Sequence, residues 1–309
     1  MSNLSAPYLH DEEAAYAFLE GVMWPNGATC PHCGGTDRIS KVKANPEKRI
    51  RLGLHRCGDC KKQFTVKVGT VFEASKVKLN LWLQAVVLMT SSKKGISSHQ
   101  LHRVLGVTYK TAWFMEHRIR EAMRSGELAP FGGNGGAVEA DETFIGREPG
   151  KPKKRAYHHK MKVLSLVDRE TGRARSIVVD DIKRATIEQF VGENVAREAR
   201  LMTDEAAMYT RIGAEFADHQ FVSHGKGEYG RGDTHTNTIE GYFSIFKRGM
   251  KGVYQHCGKR HLHRYVAEFE FRYNNRSALG VGDHGRAVNA LTGTKGKRLK
   301  YHGPDSEMA

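Results

Sequence analysis

The sequence lacks a hydrophobic run long enough to cross a bilayer. Its longest apolar stretch, near Leu81 to Met89, is interrupted by Gln84 and is shorter than the roughly 20 residues that a membrane helix needs. The first residues, Met1 to Tyr8, lack the basic start and the apolar stretch of a secretory signal. These absences argue against a membrane protein or a secreted protein, and they predict a cytoplasmic protein with no membrane partner.

Acidic residues are also in short supply. The chain has 34 Asp and Glu against 49 Lys and Arg, which gives a formal net charge of +15. A surplus of this size favours a polyanionic partner, and nucleic acid before a membrane. The 309 residues, 39% of them apolar, are enough for two or three domains with a sizeable core.

Cysteine is scarce, but its placement is informative. Four of the five cysteines form two CxxC pairs, Cys30 with Cys33 and Cys57 with Cys60, and 23 residues separate the pairs. This spacing is typical of a four-cysteine, tetrahedral zinc site, and it predicts a zinc ribbon over residues 25–70 that holds structural Zn²⁺. Redox activity is the main alternative for a CxxC pair. Four thiolates leave no open position, so a zinc ion here would not be catalytic.

Helical patterns surround the cysteine pairs. We expect an N-terminal helix within residues 1–24, beginning near Asp11, which suits the N-cap position. Residues 71–130 have the rhythm of a helix–turn–helix, with helices near Leu81–Met89, Ser98–Leu105 and Thr108–Met123 and a turn at Gly106. The best candidates there for DNA contacts are Arg103, Tyr109, Lys110 and Arg118.

The second half of the chain has an α/β pattern over residues 131–280. Short strand-like stretches end or begin near the acids, and a turn is expected at Gly172. The predicted strands are Ala137–Asp141, Lys162–Val167, Ala174–Val179 and Leu201–Thr203, and the predicted helices are Ile187–Ala196, a stretch around Glu240 and His261–Asn274. Residues 281–309 are expected to form a polar, basic tail that is at most partly ordered.

Three carboxylates stand out in this half: Asp141 and Asp204 at predicted strand ends, and Glu240 on a predicted helix. Carboxylates at such positions can hold two hard divalent cations, the equipment for attack on a phosphodiester. Glu139 and Glu142 are alternatives to Asp141 as the metal-binding acid of the first predicted strand, and the sequence pattern alone cannot choose among the three. Each acid also has an ordinary alternative, as a surface group or a helix cap. Two more polar residues lie close to Glu240 in the sequence: Asn237, which could be an oxygen ligand in its place, and Lys247, two turns later on the same helix face.

In their joint order, these features resemble bacterial insertion-sequence transposases of the DDE superfamily, in the group with an N-terminal zinc ribbon and a lysine after the acid triad. The resemblance covers roughly residues 10 to 280. It is carried by both CxxC pairs and by the segments Val138–Thr143, Met202–Glu205, His235–Gly249, Arg264–Tyr265 and Glu268–Asn274.

The resemblance implies a ribonuclease-H-like catalytic domain, a mixed sheet with flanking helices. It also implies cleavage at transposon ends and strand transfer into target DNA, with two Mg²⁺ (or Mn²⁺) ions per active site. Asp141 and Asp204 take the first two acid places, Glu240 or Asn237 takes the third, and Lys247 takes the lysine place. Lys247 and the adjacent Arg248 are expected to contact DNA.

The expected partners are the double-stranded DNA of the element ends, including their terminal inverted repeats, and of the target. Because two ends must be paired, we expect a homodimer or a higher assembly on DNA. Two alternatives stay open. One is a non-catalytic DNA-binding regulator built from the zinc ribbon and the helix–turn–helix, and the other is a metal-dependent nuclease without strand transfer.

Overall fold

The computed structural model describes residues 3–124, 126, 129–153, 157–205, 207–228 and 230–300. In this part of the chain, no helix combines the length and the apolar character needed to span a membrane.

The described residues form helices and strands in a mixed order along the chain. The helices are α1 (Glu12–Met23), α2 (Leu79–Ser91), α3 (Ser98–Leu105), α4 (Tyr109–Met123), α5 (Arg184–Asn194), α6 (Ala207–Gly213), α7 (Asn237–Gly249), α8 (Lys259–Asn274) and α9 (Asp283–Thr292). The strands are β1 (Ile39–Lys41), β2 (His55–Cys57), β3 (Gln63–Phe64), β4 (Ala137–Ile145), β5 (Met161–Asp168), β6 (Ala174–Val179), β7 (Arg200–Asp204) and β8 (Asp218–Val222).

The elements gather into two compact units. The first combines Met1–Ser92, Ile96–Arg124 and Val281–Ala309, and the second combines Lys93–Gly95 with Ser125–Gly280. The first unit is therefore built from both ends of the sequence.

The first unit contains a small antiparallel sheet in the order β1-β2-β3. Cys57 ends β2 and lies opposite Ile39 of β1. Three of the four paired cysteines lie in a small apolar cluster. Its members are Cys30, Cys57, Cys60, Phe64, Trp24, Ile39 and Val68. So few apolar side chains give little stabilisation by burial, which is typical of a segment that depends on a metal for its fold.

Three helices of the first unit, α1, α3 and α4, begin at residues whose side chains cap them. The Asp11 side chain accepts a hydrogen bond from the backbone N–H of Ala14, at 2.7 Å, and so caps α1. Ser97 and Thr108 cap α3 and α4 in the same way, and Gly106 ends α3 in the left-handed conformation, with φ of 64°. Helices α3 and α4 with the turn between them thus lie where the sequence predicts a helix–turn–helix.

The segment after Gly280 differs from the expected polar tail. It forms α9, which packs against α1, α2 and α4. Ala287, Ala290 and Leu291 are buried on one side of this helix, and Arg286 donates a hydrogen bond to the carbonyl oxygen of Thr90. The spacing of these apolar residues by three and four positions is a helical signal, which the basic composition of the segment obscures.

The second unit is built on a five-stranded mixed sheet in the order β6-β5-β4-β7-β8. Strands β4, β5 and β6 form an antiparallel meander with the turn at Gly172, and β7 and β8 run parallel to β4. Helices α5 and α6 share a buried cluster with Val138 and Ala140 on one face. Helices α7 and α8 cover the opposite face, which has Ile145 and Val163. This is the mixed α/β architecture with flanking helices that the resemblance implies.

Strand β4 is longer than the sequence predicts. It continues past Asp141 to Ile145, so that Asp141 lies in the middle of a strand rather than at its end. Thr143 and Ile145 pair with Val163 and Met161 of β5, and both are buried. The two charged residues Asp141 and Glu142 interrupt the apolar pattern of this strand, which explains the shorter prediction.

Candidate functional site

The four paired cysteines converge in the first unit. Their sulfur atoms all lie within 4.8 Å of one another, and the Cys30–Cys60 and Cys33–Cys57 sulfur pairs are each 3.7 Å apart. Tetrahedral zinc with Zn–S bonds of about 2.3 Å requires sulfur atoms about 3.8 Å apart. The residues therefore fit a closed, structural Zn²⁺ site, as their spacing predicts.

The acids lie in the second unit, where strand register brings two of them together. Glu139 of β4 pairs with Met202 of the parallel strand β7. Continued along both strands, this register sets Asp141 level with Asp204, the last residue of β7. Residues level with each other on parallel strands point to the same face. Asp141 also shares the face of Glu139, which is the face covered by α7.

Helix α7 carries the remaining candidates across this face. Ile239, Tyr242 and Phe243 are buried in a cluster with residues of β5 and β6, which orients the helix. Asn237 and Glu240 are exposed on the first turn, and Lys247 is half-buried two turns later, with its ammonium 5.9 Å from the centre of the Phe243 ring. Arg248 is exposed and bonds back to Ser244 of the same helix.

Electrostatic interaction links the acids of the two strands and the helix. Burial, together with the charges of Glu142, Asp204 and Glu240, raises the pKa of Asp141 to about 8, while a hydrogen bond from the N–H of Glu142 opposes the shift. A group of neighbouring like charges favours a bound divalent cation, and carboxylates are the ligands that Mg²⁺ prefers. The acids are less tightly gathered than the cysteines. Among the described residues, only the four cysteines bring three or more potential ligand atoms within 4.8 Å of one another.

The structure separates the three acids of β4 by their partners. Glu142 lies on the opposite face from Asp141 and accepts a hydrogen bond from the Tyr209 hydroxyl, at 3.0 Å. Glu139 is fully buried, and its two oxygens accept hydrogen bonds from Arg169 and from the backbone of Ile239. Sequence reasoning missed this role of Glu139 because both partners are distant in the chain and neither belongs to a recognisable motif.

The residues expected to contact DNA from the helix–turn–helix differ in accessibility. Arg103, Tyr109 and Lys110 are exposed, and the Tyr109 ring stacks on His99 with 4.4 Å between ring centres. For Arg118, the structure contradicts the predicted contact with DNA. It is buried, and its guanidinium donates hydrogen bonds to the carbonyl oxygens of Val71, Glu73 and Leu299. Arg118 is therefore a structural residue that is not available to DNA.

Comparisons with known protein families match both the cysteine region and the region that carries the acids. Residues 134–274 match the ISXO2-like transposase domain, and residues 10–63 match the transposase zinc-ribbon domain. Together the two matches span more than half of the chain. They define its class as a DDE-type transposase with a zinc ribbon. Residues 134–274 thus belong to the ISXO2-like transposase domain family, and residues 10–63 belong to the transposase zinc-ribbon family.

One relative and one solved structure complete the comparison. An uncharacterized protein in transposable element ISH50 of Halobacterium salinarum is 29% identical over 283 residues, which cover 84% of this chain and 90% of the relative. A chain in the cryo-EM structure of the simian T-cell lymphotropic virus intasome in complex with PP2A regulatory subunit B56 gamma is 12% identical, with a TM-score of 0.30. That match covers 57% of this chain and 64% of the other.

Proposed function

We propose that this transposase cleaves DNA at the ends of its own insertion sequence and joins those ends to target DNA, in a reaction that depends on Mg²⁺ or Mn²⁺. The observation that carries the proposal is the strand register: Asp141 lies two residues past Glu139 on β4, and Asp204 lies two residues past its partner Met202 on the parallel strand β7. Glu240 lies on α7, which packs against β4. Neither zinc binding nor DNA binding alone requires such an arrangement.

Asp141, Asp204 and Glu240 are the residues that we assign to the catalytic metals. Two ions held there would activate the attacking oxygen and stabilise the leaving oxygen of the phosphodiester. We favour Glu240 over Asn237 as the third ligand because a carboxylate supplies a charged oxygen for Mg²⁺ and because Lys247 follows seven positions after Glu240 on the same helix. The Asn237 side chain, at the start of the same helix, is the alternative.

Lys247 and Arg248 extend the site along α7. Lys247 lies seven positions after Glu240, which corresponds to about 10 Å along the helix axis. This is longer than one phosphate-to-phosphate step of a DNA strand, so a strand with its scissile phosphate at the acids can run past these cations. We assign both cations to contacts with the DNA backbone.

DNA recognition is assigned to the zinc ribbon and the helix–turn–helix. Exposed Arg103, Tyr109 and Lys110 are the residues that we expect to contact the terminal inverted repeats. A homodimer or a higher assembly on DNA follows from the need to pair two element ends.

The test uses full-length protein and DNA that carries the element's own ends. Cleavage and joining are measured with Mg²⁺ for the wild type, Asp204→Asn and Glu240→Gln. Glu193→Gln is the matched control, since Glu193 is an exposed helical acid on α5, on the other side of the sheet. We expect the wild type and the control to cleave and join, and the two site variants to do neither.

Three other outcomes would contradict the proposal in different ways. Specific binding to the ends without metal-dependent cleavage by the wild type would identify a regulator. Cleavage without joining would identify a nuclease. Full activity in Asp204→Asn would refute the assignment of the acids.

A further inference from the structure

Glu139 has a structural environment unlike that of the acids assigned to metal. It lies two residues before Asp141 on the same face of β4, and none of its surface is exposed. One carboxylate oxygen accepts a hydrogen bond from the N–H of Ile239, at 2.8 Å, and the other accepts one from the Arg169 Nε–H, at 2.6 Å. A buried carboxylate is costly unless it is bonded in this way. Both oxygens are engaged in bonds within the protein, which gives Glu139 a structural role whether or not a metal is bound.

The bond to Ile239 makes Glu139 the cap of helix α7. Ile239 is the third residue of that helix, and its N–H is one of the first donors without a partner inside the helix. Thr236, the residue before the helix, makes no side-chain hydrogen bond to these backbone groups. A carboxylate at a helix N-terminus is also favoured by the helix dipole. The cap is thus supplied by strand β4, 100 residues away in the sequence.

Arg169 fixes the segment that leads into α7. Besides Glu139, its guanidinium donates to the carbonyl oxygens of Asp233 and His235, at 2.7 and 2.6 Å, and to the His235 ring at 2.8 Å. Its own backbone N–H donates to the carbonyl oxygen of Ala137 at the start of β4. One side chain therefore ties the entrance of α7 to the strand that carries Asp141.

From these contacts we infer that Glu139 and Arg169 are positioning residues for the metal site: they fix α7 on β4 so that the Glu240 carboxylate faces Asp141. Glu240 directly follows the residue that Glu139 holds, and Asp141 lies two residues after Glu139. Metal sites need their ligands held to within about 0.5 Å, and small misplacements have large effects. This inference rests on the proposed function, since it assumes that Asp141 and Glu240 share the metals.

The test measures metal binding apart from catalysis. Titration calorimetry with Mn²⁺ is carried out on full-length wild type, Glu139→Gln and Arg169→Lys without DNA, and the melting temperature of each is recorded. Glutamine keeps the size of the Glu139 side chain, but its amide NH₂ replaces one of the two oxygens that accept hydrogen bonds from Arg169 and Ile239. The matched control is Glu270→Gln, because Glu270 is another buried carboxylate that accepts a backbone N–H on this sheet, from Ser176 of β6 at 2.7 Å.

We expect both positioning variants to bind Mn²⁺ about 10- to 100-fold more weakly, the effect typical of residues that orient metal ligands. Their cleavage activity should partly recover at high metal concentration. Glu270→Gln should bind Mn²⁺ as the wild type does, even where its melting temperature falls.

Two results would overturn the inference: wild-type Mn²⁺ affinity in a folded Glu139→Gln or Arg169→Lys protein, or an equal loss of affinity in Glu270→Gln. Arg169→Lys decides the matter if Glu139→Gln does not fold, because Arg169 is less deeply buried and the substitution keeps the charge. A wild type that neither binds Mn²⁺ nor cleaves DNA would instead refute the proposed function.

Discussion

The buried Thr236 hydroxyl donates a hydrogen bond to the carboxylate of Glu240, at 3.1 Å. The residue that precedes α7 thus orients an acid on the first turn, while the helix backbone receives its cap from Glu139. Both contacts act on the turn that carries Glu240, the residue that we propose as the third metal ligand.

This geometry predicts different outcomes for the two candidates for the third ligand. Glu240→Gln should lower the rate of DNA cleavage at least about a thousandfold, because metal coordination supplies several kcal/mol of transition-state stabilisation. Asn237→Ala should stay within about tenfold of the wild type, since a single mutation of an exposed polar group has small effects. Single-turnover cleavage in saturating Mg²⁺ measures both rates, and the reverse order would make Asn237 the ligand.

Zinc should be required for the fold of the ribbon. Removal of Zn²⁺ by a chelator, or Cys57→Ser, should unfold residues 25–70, because structural zinc sites contribute about 10–16 kcal/mol of binding energy to folding. Hydrogen exchange of that segment and the zinc content per chain are the measurements. Cys257→Ser is the control, since Cys257 lies in the second unit, outside the four-cysteine cluster, and should leave one zinc per chain.

Substitutions of Arg118 and Lys110 should have different effects, although both residues lie on α4: the first should lower stability and the second should weaken DNA binding. Arg118→Ala should lower the free energy of unfolding by about 2–4 kcal/mol, because backbone carbonyls lose a charged donor. Lys110→Ala should leave stability unchanged, weaken DNA binding and lower the salt dependence of binding by about one counterion. Denaturant unfolding and binding titrations at several salt concentrations test this contrast, and a Lys110→Ala protein that binds DNA as tightly as the wild type would contradict it.

Glu148 should contribute to the resistance of the second unit to acid. Its hydrogen bond with Lys151 lowers its pKa to about 2, against the effect of burial, with further contributions from Lys162 and Lys259. A lowered carboxylate pKa stabilises the fold above the ordinary value of about 4.5, and this stabilisation is lost as the pH falls from there towards about 2.

The corresponding variant is Glu148→Gln. It should melt at a lower temperature than the wild type at neutral pH, and the difference should shrink between about pH 4.5 and pH 2 as Glu148 of the wild type is protonated. Melting temperatures across this range measure the effect, with Glu193→Gln as the control. A difference that stays constant with pH would show that the charge of Glu148 is not the cause.

Local signals in the sequence predicted much of this architecture. The spacing of the cysteines predicted the zinc site, capping residues and apolar periodicity located α1, α3 and α4, and Gly172 marked the turn between β5 and β6. Each of these signals acts over a few residues, or through a fixed ligand geometry, and can therefore be recognised in one chain.

The features that were missed depend on contacts between distant parts of the chain. The bond from Glu139 to Ile239 joins residues 100 apart, and the partners of Arg118 include Leu299, 181 residues away. No periodic pattern in the sequence predicts contacts between residues so far apart. The extension of β4 past Asp141 was missed because the adjacent charged residues Asp141 and Glu142 interrupt the apolar pattern that identifies a strand.

Helix α9 has a consequence for how the protein is made. Since α9 supplies part of the apolar packing around α1, α2 and α4, the first unit cannot complete its core until the last part of the chain has left the ribosome. A prematurely terminated product that ends before residue 281 lacks this helix. Such a fragment leaves the apolar faces of α1, α2 and α4 that contact α9 without their partner, so the layout of the chain couples completion of the first unit's core to synthesis of the whole second unit.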